Sequence, residues 1–220
     1  GDTFLTDNEA CPWPTYHWYQ DYATKQYPHA DFTFKSCSDN GDGTFSNPVF
    51  WADVPDPDVI RVGDDFYMVS TTMHLVPGAP IMHSKDLVNW EIVSYLYDRL
   101  DDKPNYDLKE GTVYGRGQWA TSLRYHNGTY YAYFSPNDTP YKGYVYTTSD
   151  PKKGWTLSSR IPHFHDASLF FDDDGKAYMF WGSSNVYPIR GMELDKDHRF
   201  TKKGETKELF NLDMPKHGWE

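Results

Sequence analysis

Three stretches of the chain alternate apolar and polar residues with a period of two: "PDVIRVGDDFYMVSTT" (57–72), "TSLRYHNGTYYAYFSPN" (121–137) and "ASLFFDDDGKAYMFWGSS" (167–184). A period of two puts successive side chains on opposite faces of a strand. Each stretch breaks at a glycine, Gly63, Gly128 or Gly175, and resumes as a second, Tyr-rich alternation. Asn-Gly and Asp-Gly between two alternating runs are the strongest local hairpin signals. The spacing therefore predicts three antiparallel hairpins.

The layout continues past each hairpin. "IMHSKDLVNWEIVS" (81–94) and "YVYTTSDPKKGWTLSS" (144–159) share an apolar strand, a Ser/Asp turn, a Trp and a further strand. "IRGMELDKDHRFTKKG" (189–204) is a weaker copy that keeps the Asp and lacks the Trp. Each unit thus reads as four antiparallel strands over roughly 40–60 residues, the size of a β-propeller blade. No stretch carries helical periodicity over three turns. The competing architecture is a β-sandwich of short strands. Propellers close with ~4–8 blades, so three units are expected to be an incomplete ring whose remaining blades are lost or carried elsewhere. The expected division is an N-terminal arm over 1–46, rich in Tyr, Trp and Pro, followed by three blades over 47–220.

Composition narrows the partners. The chain has 220 residues, 18% of them aromatic, and a formal charge of −11. That charge repels nucleic acid and anionic membrane, and no apolar run approaches the ~20 residues of a membrane span. Aromatic side chains offer flat faces for stacking on sugars or bases. Cys11 and Cys37 are either two free thiols or one disulfide, and spacing does not decide between them. "NGT" (127–129) and "NDT" (137–139) match glycosylation sequons, but a hairpin turn already accounts for the first. "DDDG" (172–175) resembles the start of a calcium loop, yet it lacks the spaced ligands and terminal Glu of an EF-hand and reads as a turn.

Registering the repeats makes Asp58, Ser122 and Ser168 equivalent. Two residues earlier the equivalents are Asp56, Ala120 and Asp166. A blade's first strand lines the propeller axis, so Asp56 and Asp166 should face one mouth of that axis. Two carboxylates brought together from separate blades form a site pattern, since like charges are costly to gather without a use. Asp53 and Asp58 then shape the approach to the first strand, with Pro55 and Pro57 as a stiff lead-in.

Four segments, "NPVFWADVPDPDVIRVGDDFYMVSTT", "PGAPIMHSKDLVNWE", "GRGQWATSLRYHNGTYYAYF" and "HDASLFFDDDGKAYMFWG", resemble glycoside hydrolase family 43. The resemblance covers about 40–204. It implies an all-β, five-bladed β-propeller, of which this chain supplies about three blades, and inverting hydrolysis that releases arabinose or xylose from plant glycans. It implies Asp56 as the general base, Asp166 as the carboxylate that orients the acid, and Trp119, Met73, His74 and Asp53 as walls of the sugar site. The family's general acid is a Glu in a Glu-Gly motif of the following blade. Glu110-Gly111 fits the dipeptide but lies in a polar loop ahead of the second unit, so the acid is expected beyond Glu220. Trp119-Ala120-Thr121 stands where the family commonly has Trp-Ala-Pro. The resemblance requires no cofactor, although some members hold a calcium ion in the axial channel. It points to a secreted, periplasmic or cell-surface protein whose partners are oligosaccharides, polysaccharides and the remaining blades. A sugar-binding propeller without catalysis, an inactive fragment, and a ring completed by a second chain are the alternatives.

Overall fold

A computed structural model describes residues 38–138, 142–183, 186–195 and 201–210 of the chain. Its strands fall into three sheets of four. The first comprises β1 (Asp58–Val62), β2 (Asp65–Val69), β3 (Gly78–Ser84) and β4 (Trp90–Tyr97). The second comprises β5 (Gln118–His126), β6 (Thr129–Pro136), β7 (Gly143–Thr148) and β8 (Thr156–Ile161). The third comprises β9 (Ser168–Phe171), β10 (Ala177–Ser183), β11 (Val186–Asp195) and β12 (Thr201–Phe210). Every strand pairs antiparallel with its successor inside its own sheet. That meander is the topology of a propeller blade, whereas a sandwich passes strands between its sheets. Among the described residues no helix is long and apolar enough to cross a membrane.

The turns form where the glycines place them. His126 pairs with Thr129 around Asn127 and Gly128, whose φ angles of 47° and 82° make the doubly left-handed turn that Asn-Gly favours. Phe171 pairs with Ala177, and the intervening "DDDG" closes on itself through Gly175 N to Asp172 O (2.8 Å) and Lys176 N to Asp174 Oδ1 (2.9 Å). These aspartates serve a turn.

Strand alternation explains why the middle sheet is so rich in tyrosine. On β6, Tyr130, Ala132 and Phe134 face the first sheet and join Val69, Ile81 and Leu123 in one core. Tyr133, between them in sequence, faces the third sheet and joins Leu169, Ala177 and Met179 in a second core. A sheet packed on both faces needs bulky apolar side chains at both parities. Large rings that carry one polar tip meet that need.

The equivalence of Asp58, Ser122 and Ser168 has a physical basis. Asp58 Oδ2 accepts from Leu123 N at 2.8 Å and from Arg124 Nη1 at 2.6 Å, which ties β1 to β5. Ser122 Oγ accepts from Leu169 N at 3.0 Å, which ties β5 to β9 in the same way. Asp58 therefore does more than shape the strand entry: it fastens its sheet to the next.

A second polar cluster sits on the first sheet, where buried His83 lies 2.5 Å from Asp65 Oδ1 and 3.1 Å from Glu91 Oε1. Hydrogen bonds from Lys85 and His83 hold the Asp65 carboxyl at about 2, below its ordinary 3.8. A depressed carboxylate contributes stability above its unfolded value and loses it as pH falls through the folded one. Asp65→Asn should therefore lower the urea midpoint at pH 5, and the gap from wild type should close by about pH 2. A gap of equal size at both pH values would show that Asp65 does not carry this linkage.

Candidate active site

Asp56 sits between Pro55 and Pro57, two residues ahead of β1. The flanking prolines suggest an extended residue, but Asp56 has φ 48°, in the left-handed region. Asp is one of the few non-glycine residues that enter this region readily. Hydrogen bonds hold it there: Pro55 O accepts from Thr71 N (3.0 Å) and Ser70 Oγ (2.8 Å), and Thr71 Oγ1 donates to Asp56 Oδ2 (2.8 Å). The residue is exposed, and its Oδ1 takes no hydrogen bond among the described residues.

Asp166 stands two residues ahead of β9 and repeats this backbone geometry, with φ 45°, and the residue is exposed. Its Oδ2 lies 3.1 Å from His165 Nε2. Ala120, the equivalent in the second sheet, has no positive φ. Strained backbone is retained where surrounding contacts over-determine it, commonly at functional sites. The two aspartates singled out by register thus share an unusual backbone as well.

Trp119 is half-buried, neither sealed between sheets nor free. Its indole Nε1 donates to Gly115 O at 3.1 Å, and its ring lies 6.0 Å from that of His165. It therefore stands near His165, which in turn contacts Asp166. His163 stacks on His165 with centroids 6.5 Å apart, and burial pushes its imidazole below the usual range.

Met73, at φ 53°, pairs through its main chain with Gln118, N to O in both directions at 2.9 Å. This close approach requires Gly117, where an added Cβ would lie 2.4 Å from Met73 O. His74 Nδ1 accepts from Gly115 N at 3.1 Å, which leaves any ring proton of the neutral form on Nε2. Its ring is 4.7 Å from Tyr114, an aromatic that is 83% exposed. Asp53, Met73 and His74 together line a cavity of about 380 Å³, with Thr72 and Tyr114 beside them and Met82 among its apolar walls. Asp56, Asp166 and Trp119 do not line it. The cavity nevertheless adjoins Asp56, because Thr71 lines it and also holds that carboxylate.

Of the six expected site residues, the structure gathers Asp53, Met73 and His74 around one cavity, sets Asp56 beside it through Thr71, and links Trp119 to Asp166 through His165. It also adds three that sequence reading passed over: Thr71, Tyr114 and Gln118. Nothing in the local pattern marks Gln118, one polar residue at the head of a strand.

Glu110 is exposed, with its carbonyl accepting from Asn105 Nδ2 at 2.7 Å, in the loop that precedes β5. Glu220, Cys11 and Cys37 lie outside the described residues. Among the described residues no group of three or more His, Cys, Asp or Glu converges as a metal-ligand set.

Comparison with known proteins gives the family of this chain of blade-like sheets. The model of Glycosyl hydrolases family 43 matches residues 45–219, and the chain belongs to that family. A β-xylosidase of Formosa agariphila is 38% identical over 149 residues, 66% of this chain and 25% of its own length. The non-reducing end alpha-L-arabinofuranosidase BoGH43B of Bacteroides ovatus is 37% identical over 142 residues, 61% of this chain and 25% of its own length. Among solved structures, a bifunctional GH43-CE protein of Bacteroides eggerthii superposes with a TM-score of 0.68 at 46% identity, covering 74% of this chain and 21% of its own. The chain therefore spans about a quarter of the length of the curated relatives it matches.

Proposed function

We propose that the full-length protein is an inverting, exo-acting glycosidase that releases xylose or arabinose from plant oligosaccharides and polysaccharides outside the cytoplasm. The observation that carries this reading is the matched pair Asp56 and Asp166, equivalent in register and alike in left-handed backbone, within a chain of family 43. The relatives' names supply the two sugars.

In this reading Asp56 is the general base. Its free Oδ1 takes a proton from water as the water oxygen bonds to the anomeric carbon. The glycosidic C–O bond breaks, and the leaving oxygen takes its proton from a Glu supplied from outside these 220 residues. An inverting pair stands about 6.5–9.5 Å apart, which leaves room for that water. Asp166 orients the acid, Trp119 borders the sugar, and Asp53, Met73 and His74 hold it from the adjoining cavity.

The chain would form the first three blades of a five-bladed propeller. Support for further sheets comes from Ser168, which occupies the position where Asp58 and Ser122 each accept an N–H from the next sheet, yet is itself exposed. Phe170 beside it is 45% exposed.

The test is to incubate the full-length protein with nitrophenyl β-xyloside and nitrophenyl α-L-arabinofuranoside and to follow the first-formed sugar by NMR. The expected result is hydrolysis of at least one, with inverted configuration. Binding without turnover, or retention of configuration, would overturn the proposal.

A further inference from the structure

We propose that Gln118 is a positioning residue that sets the supports of Asp56 and Asp166 in one frame, an inference that rests on the glycosidase reading above. Gln118 is the first residue of β5, and its side chain is completely buried, at 0% exposure. Both ends of its amide are in use. Oε1 accepts from Thr72 N at 2.6 Å and from Thr72 Oγ1 at 3.0 Å. Nε2 donates to Trp119 O at 2.7 Å and Thr121 Oγ1 at 2.8 Å, with Ser70 O at 3.3 Å. Only this orientation gives the Thr72 N–H an acceptor, so the network itself assigns the amide.

The partners lead in two directions. Ser70 and Thr72 flank Thr71, whose hydroxyl holds Asp56 Oδ2, and Ser70 and Thr71 both hold Pro55 O. Trp119 stands 6.0 Å from His165, which contacts Asp166. One buried amide thus joins the anchor of the first carboxylate to Trp119, which reaches the second through His165, across two sheets. Gln118 touches neither carboxylate and acts through Thr71 and Trp119. A side chain of equal volume without polar atoms would fill the space and release both anchors.

The test uses the full-length protein, with kcat measured per folded enzyme well below its melting temperature. Gln118→Met should lower kcat about a hundredfold, the cost of a misplacement on the order of 1 Å at a reacting group. Thr71→Val should lower it comparably. The double variant should lose far less than the product of the two, because both changes release the same carboxylate. Gln118→Glu provides a second route if the Met variant does not fold. When protonated, its new carboxyl can still donate to Trp119 O. When ionised, it turns a charge toward two carbonyl oxygens. Its kcat profile should therefore gain an alkaline limb that wild type lacks. Variants that melt lower yet keep wild-type kcat and pH profile, or losses that multiply, would overturn the inference and leave the glycosidase reading intact. Absence of hydrolysis by wild type would overturn both.

Discussion

Asp56→Asn in the full-length protein should lower kcat by about 10²–10⁴, the usual contribution of a general base, with little change in KM or melting temperature. Asn is the right substitution for two reasons. It tolerates the left-handed backbone that Asp56 adopts at φ 48°. Its amide oxygen can still accept the Thr71 hydroxyl that holds Oδ2 at 2.8 Å. What it loses is the negative oxygen that would take the proton of water. Asp56→Ala would mix this loss with backbone strain and is the less informative change. Loss of activity with an unchanged melting temperature supports the base. Retention of more than a tenth of wild-type kcat would remove Asp56 from the reaction.

The largest effect on stability is expected at Phe134. Its ring is fully buried at 0% exposure and lies in an aromatic stack that spans the first and second sheets. Tyr144 stacks on it at 4.9 Å and 15°, Tyr146 lies 6.2 Å away at 7°, and Tyr97 approaches from the first sheet at 5.5 Å. Four rings packed in this way cannot collapse readily into the space one of them leaves. Phe134→Ala should therefore cost about 3–5 kcal/mol, the range for a phenyl group deleted from a close-packed core. The measurement is the urea midpoint, with the slope m unchanged so that the shift reports stability alone. A loss below about 1 kcal/mol would mean that the stack does not hold the two sheets together.

Arg160 extends the same stack outward. Its guanidinium lies 3.6 Å from the Tyr144 ring centroid, and its Nη2 donates to Asp102 at 2.9 Å. Tyr144 also donates to Asp102, and burial raises the tyrosine hydroxyl above its usual range. The loop before β5 is thereby fastened to the second sheet at Asp102.

The blade-like sheets and the equivalence of Asp56 with Asp166 could be read directly from the chain. Alternation and turn glycines act between residues a few positions apart, so "LRYHNGTYYAYF" specifies its hairpin without reference to anything distant. Copies of that local pattern then align, and the alignment carries the register. The positive φ at both aspartates was not legible, because it depends on partners such as Thr71, 15 positions from Asp56. Nor was the gathering of Asp53, Met73 and His74 around one cavity that Asp56 adjoins through Thr71. The role of Asp58 required Leu123, 65 positions away, and that of Gln118 required Thr72, 46 positions away. A strand's period fixes which face a side chain takes. Which hydrogen-bond partner it meets there is decided only when one sheet packs on the next.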